Sequence, residues 1–270
     1  MNLLDDSAVS IITLTTDFGT VDWFVGTMKG VILGLQPRAR LVDITHEIPA
    51  GDIRAGAFAL AASYKFFPKR TVHVAVIDPG VGSTRRALAV QTVNHFFVGP
   101  DNGVLSLALS REKIKAVHQI TNEQLFLRPV SNTFHGRDVF APVAASLSKG
   151  LPLGKVGAPM KEFVKLSWPE PQRATNSIKG EIAYIDRFGN AITNIGNAAL
   201  ASLAEGCCEM IVKGKRLCAL QPFYQAAPHR DAVAVPGSSG FLELAVNGGS
   251  AAQKFKLKVG QTVIVRGKPH

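Results

Sequence analysis

The chain has 270 residues, of which 46% are hydrophobic and 19% charged, and its 30 lysines and arginines outnumber 20 aspartates and glutamates for a formal net charge of +10. At roughly 100–200 residues per domain this length accommodates one large domain or two modest ones, and the composition excludes disorder, collagen and coiled coil as the main architecture. No apolar run reaches the about 18–20 residues that span a bilayer; the best candidate, Ala55–Phe67, is bounded by Arg54 and broken by Lys65. Met1–Asp6 holds two aspartates and no basic residue, unlike the positive start of a secretion signal, so a soluble cytoplasmic protein without a membrane partner is expected. Positive charge would suit nucleic acid, but the basic residues are scattered and no aromatic-interleaved basic run occurs; a solvated surface and no nucleic-acid partner are expected. Cys207, Cys208 and Cys218 form no CxxC pair, and adjacent cysteines cannot easily share one metal or an unstrained disulfide, so they read as structural thiols.

In chain order, Ile11–Thr15 is a β-branched strand that stops at Asp17 and Gly19, and Trp23–Leu35 has helical spacing. Leu41–Ile44 reads as a strand, Ala55–Phe67 as a helix, and Thr71–Ile77 as a buried strand ending at Asp-Pro-Gly. Ala87–Thr92 and Phe96–Val98 are further strands, and Val139–Lys149 is a helix that Asp138 is placed to cap. This alternation predicts an N-terminal α/β sandwich-like domain over residues 1–167, with a mostly parallel sheet covered on both faces. Residues 168–177, WPEPQRATNS, are polar, contain two prolines and lack an apolar period, which marks a linker. Beyond it, Gly180–Ile185, Glu209–Val212, Leu242–Val246 and Thr262–Arg266 are short strands between Gly, Asn and Ser clusters; residues 178–270 are expected to form a smaller all-β domain, a barrel.

Polar residues collect where strands end: Asp17 after the first, His46 after the second, Asp78 after the third, then Asp101 and Asn102. The carboxyl ends of strands in an open α/β sheet form the ligand crevice, so Asp17, Asp78 and Asn102 are candidates by position. The same residue types also make ordinary turns and caps. Neither GxGxxG nor GxxxxGK[ST] is present, which argues against a dinucleotide or P-loop site. The histidines form no HExxH or comparable cluster, and no metal is expected.

The segments LTTDFGT (14–20), DITHEIP (43–49), VIDPGVGSTRR (76–86), GPDNG (99–103), TFHGRD (133–138), IDRFGNAITNI (185–195) and SSGFLELAVNGGSAA (238–252) together resemble the adenosine-forming S-adenosylmethionine (SAM) hydrolases. These are also called SAM hydroxide adenosyltransferases and share a superfamily with fluorinase and chlorinase. The resemblance implies hydrolysis of SAM to adenosine and L-methionine by in-line attack of water on ribose C5′, with no cofactor. It also implies a homotrimer whose active sites lie at subunit interfaces.

Carried over by motif, Asp17 would accept bonds from the two ribose hydroxyls, a task suited to a carboxylate because two charged oxygens can meet a vicinal diol. Asp22 and Trp23 would stand near the methionine portion. Asp186, Phe188 and Asn190 would serve the methionine and adenine ends, and Asn247, Gly248 and Ala252 would complete the adenine pocket; Asn102 and Phe134, in GPDNG and TFHGRD, are also assigned to the substrate. The reactive set would be Asp78, Arg85 and His135, with Arg86 adjacent to Arg85. A carboxylate and an imidazole can hold and deprotonate a water while a guanidinium favours its hydroxide-like form. The halogenating relatives have an aromatic residue in place of Asp78, and fluorinase has a halide-binding serine in place of Gly136, so a halogenase is the less favoured enzyme. A SAM- or adenosine-binding sensor is the alternative of a different class, and binding alone would not need the Asp78, Arg85 and His135 set.

Overall fold

The computed structural model describes residues 10–200, 203 and 208–267. Met1–Asp6 and Cys207 lie outside the described residues. The chain divides into two compact units, residues 1–166 and 167–270.

The first unit is built on a six-stranded sheet of order β2-β1-β3-β5-β4-β6, comprising β1 (Ile11–Thr16), β2 (Arg40–Thr45), β3 (Val72–Val76), β4 (Ala87–Thr92), β5 (Phe96–Pro100) and β6 (Ile114–Gln119). Strands β2, β1, β3 and β5 run parallel, and β4 is antiparallel to both its neighbours. The helices are α1 (Phe24–Leu35), α2 (Ile53–Ser63), α3 (Ser106–Leu109) and α4 (Ala141–Ser148). Alternate residues explain the double-sided burial: Ile12 and Leu14 of β1 join Met28 and Ile32 of α1 and Val143 and Leu147 of α4 in one core, while Thr13 and Thr15, equally buried, face the other way.

The chain leaves β1 for β2 on one side and passes to β3 on the other side of β1. Right-handed crossovers in opposite directions put α1 and α2 on opposite faces and open a crevice at the carboxyl ends of β1 and β3. Because β4 runs against β5, its first residue also lies at this edge, and the loop that feeds it delivers Arg85 and Arg86 there.

The second unit holds β7 (Gln172–Ala174), β8 (Ser177–Ile185), β9 (Ala191–Gly196), β10 (Cys208–Val212), β11 (Lys215–Ala219), β12 (Ala232–Pro236), β13 (Phe241–Val246) and β14 (Thr262–Gly267), with short helices α5 (Asn197–Leu200) and α6 (Ala251–Phe255). Its antiparallel order is β11-β10-β14-β8-β9-β13-β12, with β7 added to β8. Gln221 N donates to Ala234 O at 2.8 Å, so the chain after β11 returns to β12 and the barrel nearly closes. Ile178, Ile182, Ile195, Leu242, Leu244 and Val263 fill its interior. Cys208 and Cys218 are buried there, and burial pushes the Cys218 thiol up to about 12, against the pull of nearby Arg216.

Three local expectations change. The helix expected over 55–67 begins at Ile53, where Asp52 Oδ1 accepts from Ala55 N at 2.9 Å, and gives way after Ser63 to a 3-10 turn. Phe67 precedes Pro68 and is therefore extended, with ψ 151°. Asp138 is not a helix cap: α4 starts at Ala141, and Asp138 lies inside a π-helical turn, Gly136–Phe140. Part of 168–177 is strand β7, and β6, β9, β11 and β12 were not foreseen. Among the described residues no helix is long and apolar enough to cross a membrane.

Candidate active site

Asp78 follows β3, Arg85 precedes β4 and His135 opens the π turn before α4, and the structure brings the three together. Arg85 Nε donates to Asp78 Oδ1 at 2.9 Å and to Oδ2 at 3.0 Å, and its Nη2 reaches Oδ2 at 2.5 Å. The same Nη2 lies 2.8 Å from His135 Nδ1. Gly82 allows this meeting: its φ is +77°, and a Cβ there would run into Asn132 O, so the loop 78–86 can press against the loop that carries His135. Arg86 points elsewhere, donating through Nε to Asp101 Oδ2 at 2.7 Å. Arg85 is thus the arginine of the cluster.

The bonding fixes the imidazole. A guanidinium only donates, so His135 Nδ1 accepts, and a neutral ring then carries its proton on Nε2. Burial and the Arg85 charge hold His135 below the ordinary histidine range, against the opposing pull of Asp78 and Asp138. His135 therefore presents an N–H, and the lone pairs of the cluster belong to Asp78. Asp138, fully buried, anchors the segment: Oδ2 accepts from Ser131 N at 2.8 Å and Oδ1 from Arg137 Nε at 2.6 Å.

Asp78 opens onto a cleft of about 560 Å³ lined by Asp17, Phe18, Phe24, Ala50, Gly51, Pro79, Thr133 and Phe134. Asp17 Oδ2 accepts from Gly51 N at 2.8 Å. Phe18, Phe24 and Phe134 form one wall, with ring centroids 5.2–5.8 Å apart. Gly136 lies against it: a Cβ there would sit 3.2 Å from both Met28 Sδ and Phe134 Cε2, so a larger residue would require these side chains to give by a few tenths of an ångström. Asp22 and Trp23 are exposed and outside the lining, although Trp23 packs on Phe24 at 5.2 Å. Asn102 is committed within the fold, its Nδ2 donating to Ile77 O at 2.8 Å and its Oδ1 accepting from Val104 N at 3.1 Å. It braces the end of β3, as a turn residue does.

In the second unit the remaining assigned residues fall into one group. Asp186 accepts from Asn190 N at 2.8 Å and from Asn190 Nδ2 at 3.0 Å, closing a turn that exposes Phe188. Gly189, at φ +80°, lies so close to Ser250 that a Cβ would overlap its Oγ, and Ala252 N donates to Gly189 O at 2.9 Å. The turn 186–190 is thereby tied to the segment 247–252. Asn247 donates through Nδ2 to Ala227 O at 2.8 Å, and Gly248 turns at φ +73°. Among the described residues no group of three or more His, Cys, Asp or Glu is arranged to hold a metal ion.

The sequence reading missed Phe18, Phe24, Gly51 and Thr133. Phe18 sits inside the TDFG motif and could have been named; Gly51 carries no local signal, because its amide meets Asp17 only through the pairing of β1 with its neighbours.

Residues 12–157 match the SAM hydroxide adenosyltransferase N-terminal domain and residues 180–264 match the C-terminal domain. The chain belongs to the SAM hydroxide adenosyltransferase family. The chain is similar to the (R)-S-adenosyl-L-methionine hydrolase of Salinispora arenicola, 38% identical over 94% of this chain and 97% of that one. The enzyme of the same description from Thermus thermophilus is 37% identical over 92% of this chain and 96% of its own length. A fluorinase from an Actinoplanes species is more distant, at 27% identity over 94% of this chain and 97% of that one. Among solved structures, an uncharacterized conserved protein from Thermotoga maritima superposes with a TM-score of 0.90 at 35% identity, covering 94% of this chain and 99% of that one. The family's N-terminal match contains Asp17, Asp78, Arg85 and His135, and its C-terminal match contains the tied segments 186–190 and 247–252.

Proposed function

We propose that this chain hydrolyses S-adenosyl-L-methionine to adenosine and L-methionine. A water oxygen bonds to ribose C5′ as the C5′–S bond breaks; the sulfur keeps the bonding pair and leaves as a neutral thioether, and the water's proton is released. A sulfonium needs no acid to depart, so the site has two tasks, alignment and supply of the nucleophile. Alignment is worth up to about 7–11 kcal/mol in favourable cases. Asp78 accepts the water's proton, His135 offers its Nε2–H to the water oxygen, and Arg85 stabilises the hydroxide-like character that develops. Asp17 receives the ribose hydroxyls, and Asp186, Phe188, Asn190, Asn247, Gly248 and Ala252 hold the adenine and methionine ends. Asp22 and Trp23 serve the methionine portion. The observation that carries this reading is the Asp78, Arg85 and His135 cluster beside the cleft that Asp17 also lines.

The relatives' name specifies the R configuration at sulfur, and the same epimer is proposed as the substrate here. The finer assembly proposed is a homotrimer, in which a neighbouring subunit contributes to each site. Both are tested on one sample: each SAM epimer is incubated with protein whose mass in solution is measured, and the products are separated by chromatography. Adenosine and methionine in equal amounts, formed faster from the R epimer by a trimer, are expected. No adenosine from either epimer would contradict the activity, and an active monomer would contradict the shared site.

A further inference from the structure

His46, in the DITHEIP segment, takes no part in the chemistry above, yet it is buried at the carboxyl end of β2 and linked to both sides of Asp17. Its Nδ1 lies 2.8 Å from Thr16 Oγ1. Its Nε2 lies 3.0 Å from Asp43 Oδ1, close enough for attraction although not aligned as a straight hydrogen bond. Asp43 Oδ2 accepts from Lys29 Nζ at 2.6 Å.

Elementary donor and acceptor rules give this chain of groups a direction. The Asp43 carboxylate, 3.0 Å from Nε2, favours the imidazole proton on that nitrogen, and Nδ1 of the neutral ring then keeps its lone pair. The Thr16 hydroxyl must then donate to Nδ1, which leaves its oxygen to accept from Phe18 N, at 3.3 Å. The backbone adds a second hold, since His46 O accepts from Gly19 N at 2.8 Å. The amides of residues 18 and 19 are thus fixed, one through Thr16 and the other directly. Thr20 Oγ1 reinforces the same pair of loops by donating to Glu47 Oε1 at 3.3 Å.

We propose that His46 is a positioning residue for the ribose end of the substrate, setting the turn from Asp17 to Gly19 so that the Asp17 carboxylate faces the cleft. This rests on the reading of Asp17 as the ribose acceptor. The test compares His46→Leu, His46→Asn and Asp17→Asn by adenosine affinity, KM and kcat for SAM, and thermal unfolding. His46→Leu should weaken adenosine binding and raise KM about tenfold, the scale of one lost orienting interaction, while kcat falls far less. His46→Asn, whose amide oxygen can replace Nδ1 as acceptor, should recover most of the affinity; a purely structural role would instead lower the melting temperature without dividing KM from kcat. Should His46→Leu fail to fold, Thr16→Val removes the same link and should show the same division. Wild-type affinity in His46→Leu or Thr16→Val, alongside weakened binding in Asp17→Asn, would overturn the positioning role alone. Unchanged binding in Asp17→Asn would overturn the ribose assignment and the positioning role with it.

Discussion

Replacing Arg85 with Met should lower kcat by about 10²–10³-fold, the cost of removing one preorganised electrostatic group from a reacting centre. Two neighbours lose their partner together. Asp78 gives up its bidentate contact, and His135 Nδ1 loses the donor that sets the tautomer. The imidazole is then free to turn or to place its proton on Nδ1, so the Nε2–H offered to water disappears. Arg85→Lys should restore little, because an ammonium cannot span a carboxylate and an imidazole as the planar guanidinium does. Adenosine affinity should change little in either variant, since Arg85 is assigned to the water. Single-turnover rates and calorimetric adenosine binding measured on the same samples check both halves; a kcat within twofold of wild type would remove Arg85 from the chemistry.

A loss of stability in acid is expected to trace largely to His73. Its ring is fully buried in β3, stacked on Phe97 at 5.2 Å, with Nδ1 on Thr13 Oγ1 at 2.8 Å and Nε2 without a partner. Burial, helped by nearby His95, pushes its pKa down from 6.5 to about 3. The unfolded chain therefore binds a proton that the folded chain refuses between these values. Stability contributed by the neutral ring is complete above pH 6.5 and drains away as pH falls toward 3. With about 1.4 kcal/mol per pH unit in that window, moving from pH 7 to pH 4 costs on the order of 3 kcal/mol from this residue. Urea unfolding at pH 7, 5.5 and 4 should give a clearly flatter pH dependence for His73→Leu, although that variant starts lower because Thr13 loses its partner. Equal slopes for the two proteins would assign the acid sensitivity elsewhere.

The central strands β1 and β3 of the first unit were legible because each is a compact run rich in β-branched residues and buried on both faces, as in Ile11–Thr16 before Asp17, whereas β6, only partly buried, gives no such signal. Position at a strand end by itself singles out Asp17 and Asp78. What local pattern could not carry was the meeting of residues distant in sequence. Arg85 and His135 are separated by 50 positions, and their contact depends on the close approach at Gly82. Asn102 has the same strand-end position as Asp17, yet its amide is consumed by Ile77 and Val104. Asp138 looked like a helix cap because it precedes an apolar run, but the preceding turn widens to a π turn and redirects its carboxylate to Ser131 and Arg137. The smaller strands of the barrel, such as β7, have too few residues for a period to emerge and are fixed by their partners.

In the proposed reaction water, and not a halide, attacks C5′. In the role proposed for it, Asp78 favours this outcome because its carboxylate can accept the proton that water must lose as it attacks, a step that a halide does not need. Gly136 offers no hydroxyl to a halide, and the rings of Phe18 and Phe134 with Met28 crowd the space where one would stand. Turnover of SAM in oxygen-18 water, with fluoride or chloride added in parallel reactions, tests this most directly by mass spectrometry of the nucleoside product. One oxygen-18 atom in the 5′-hydroxyl of adenosine and no 5′-halogenated nucleoside are expected; unlabelled adenosine, or a halogenated product formed at a comparable rate, would rule out water as the nucleophile.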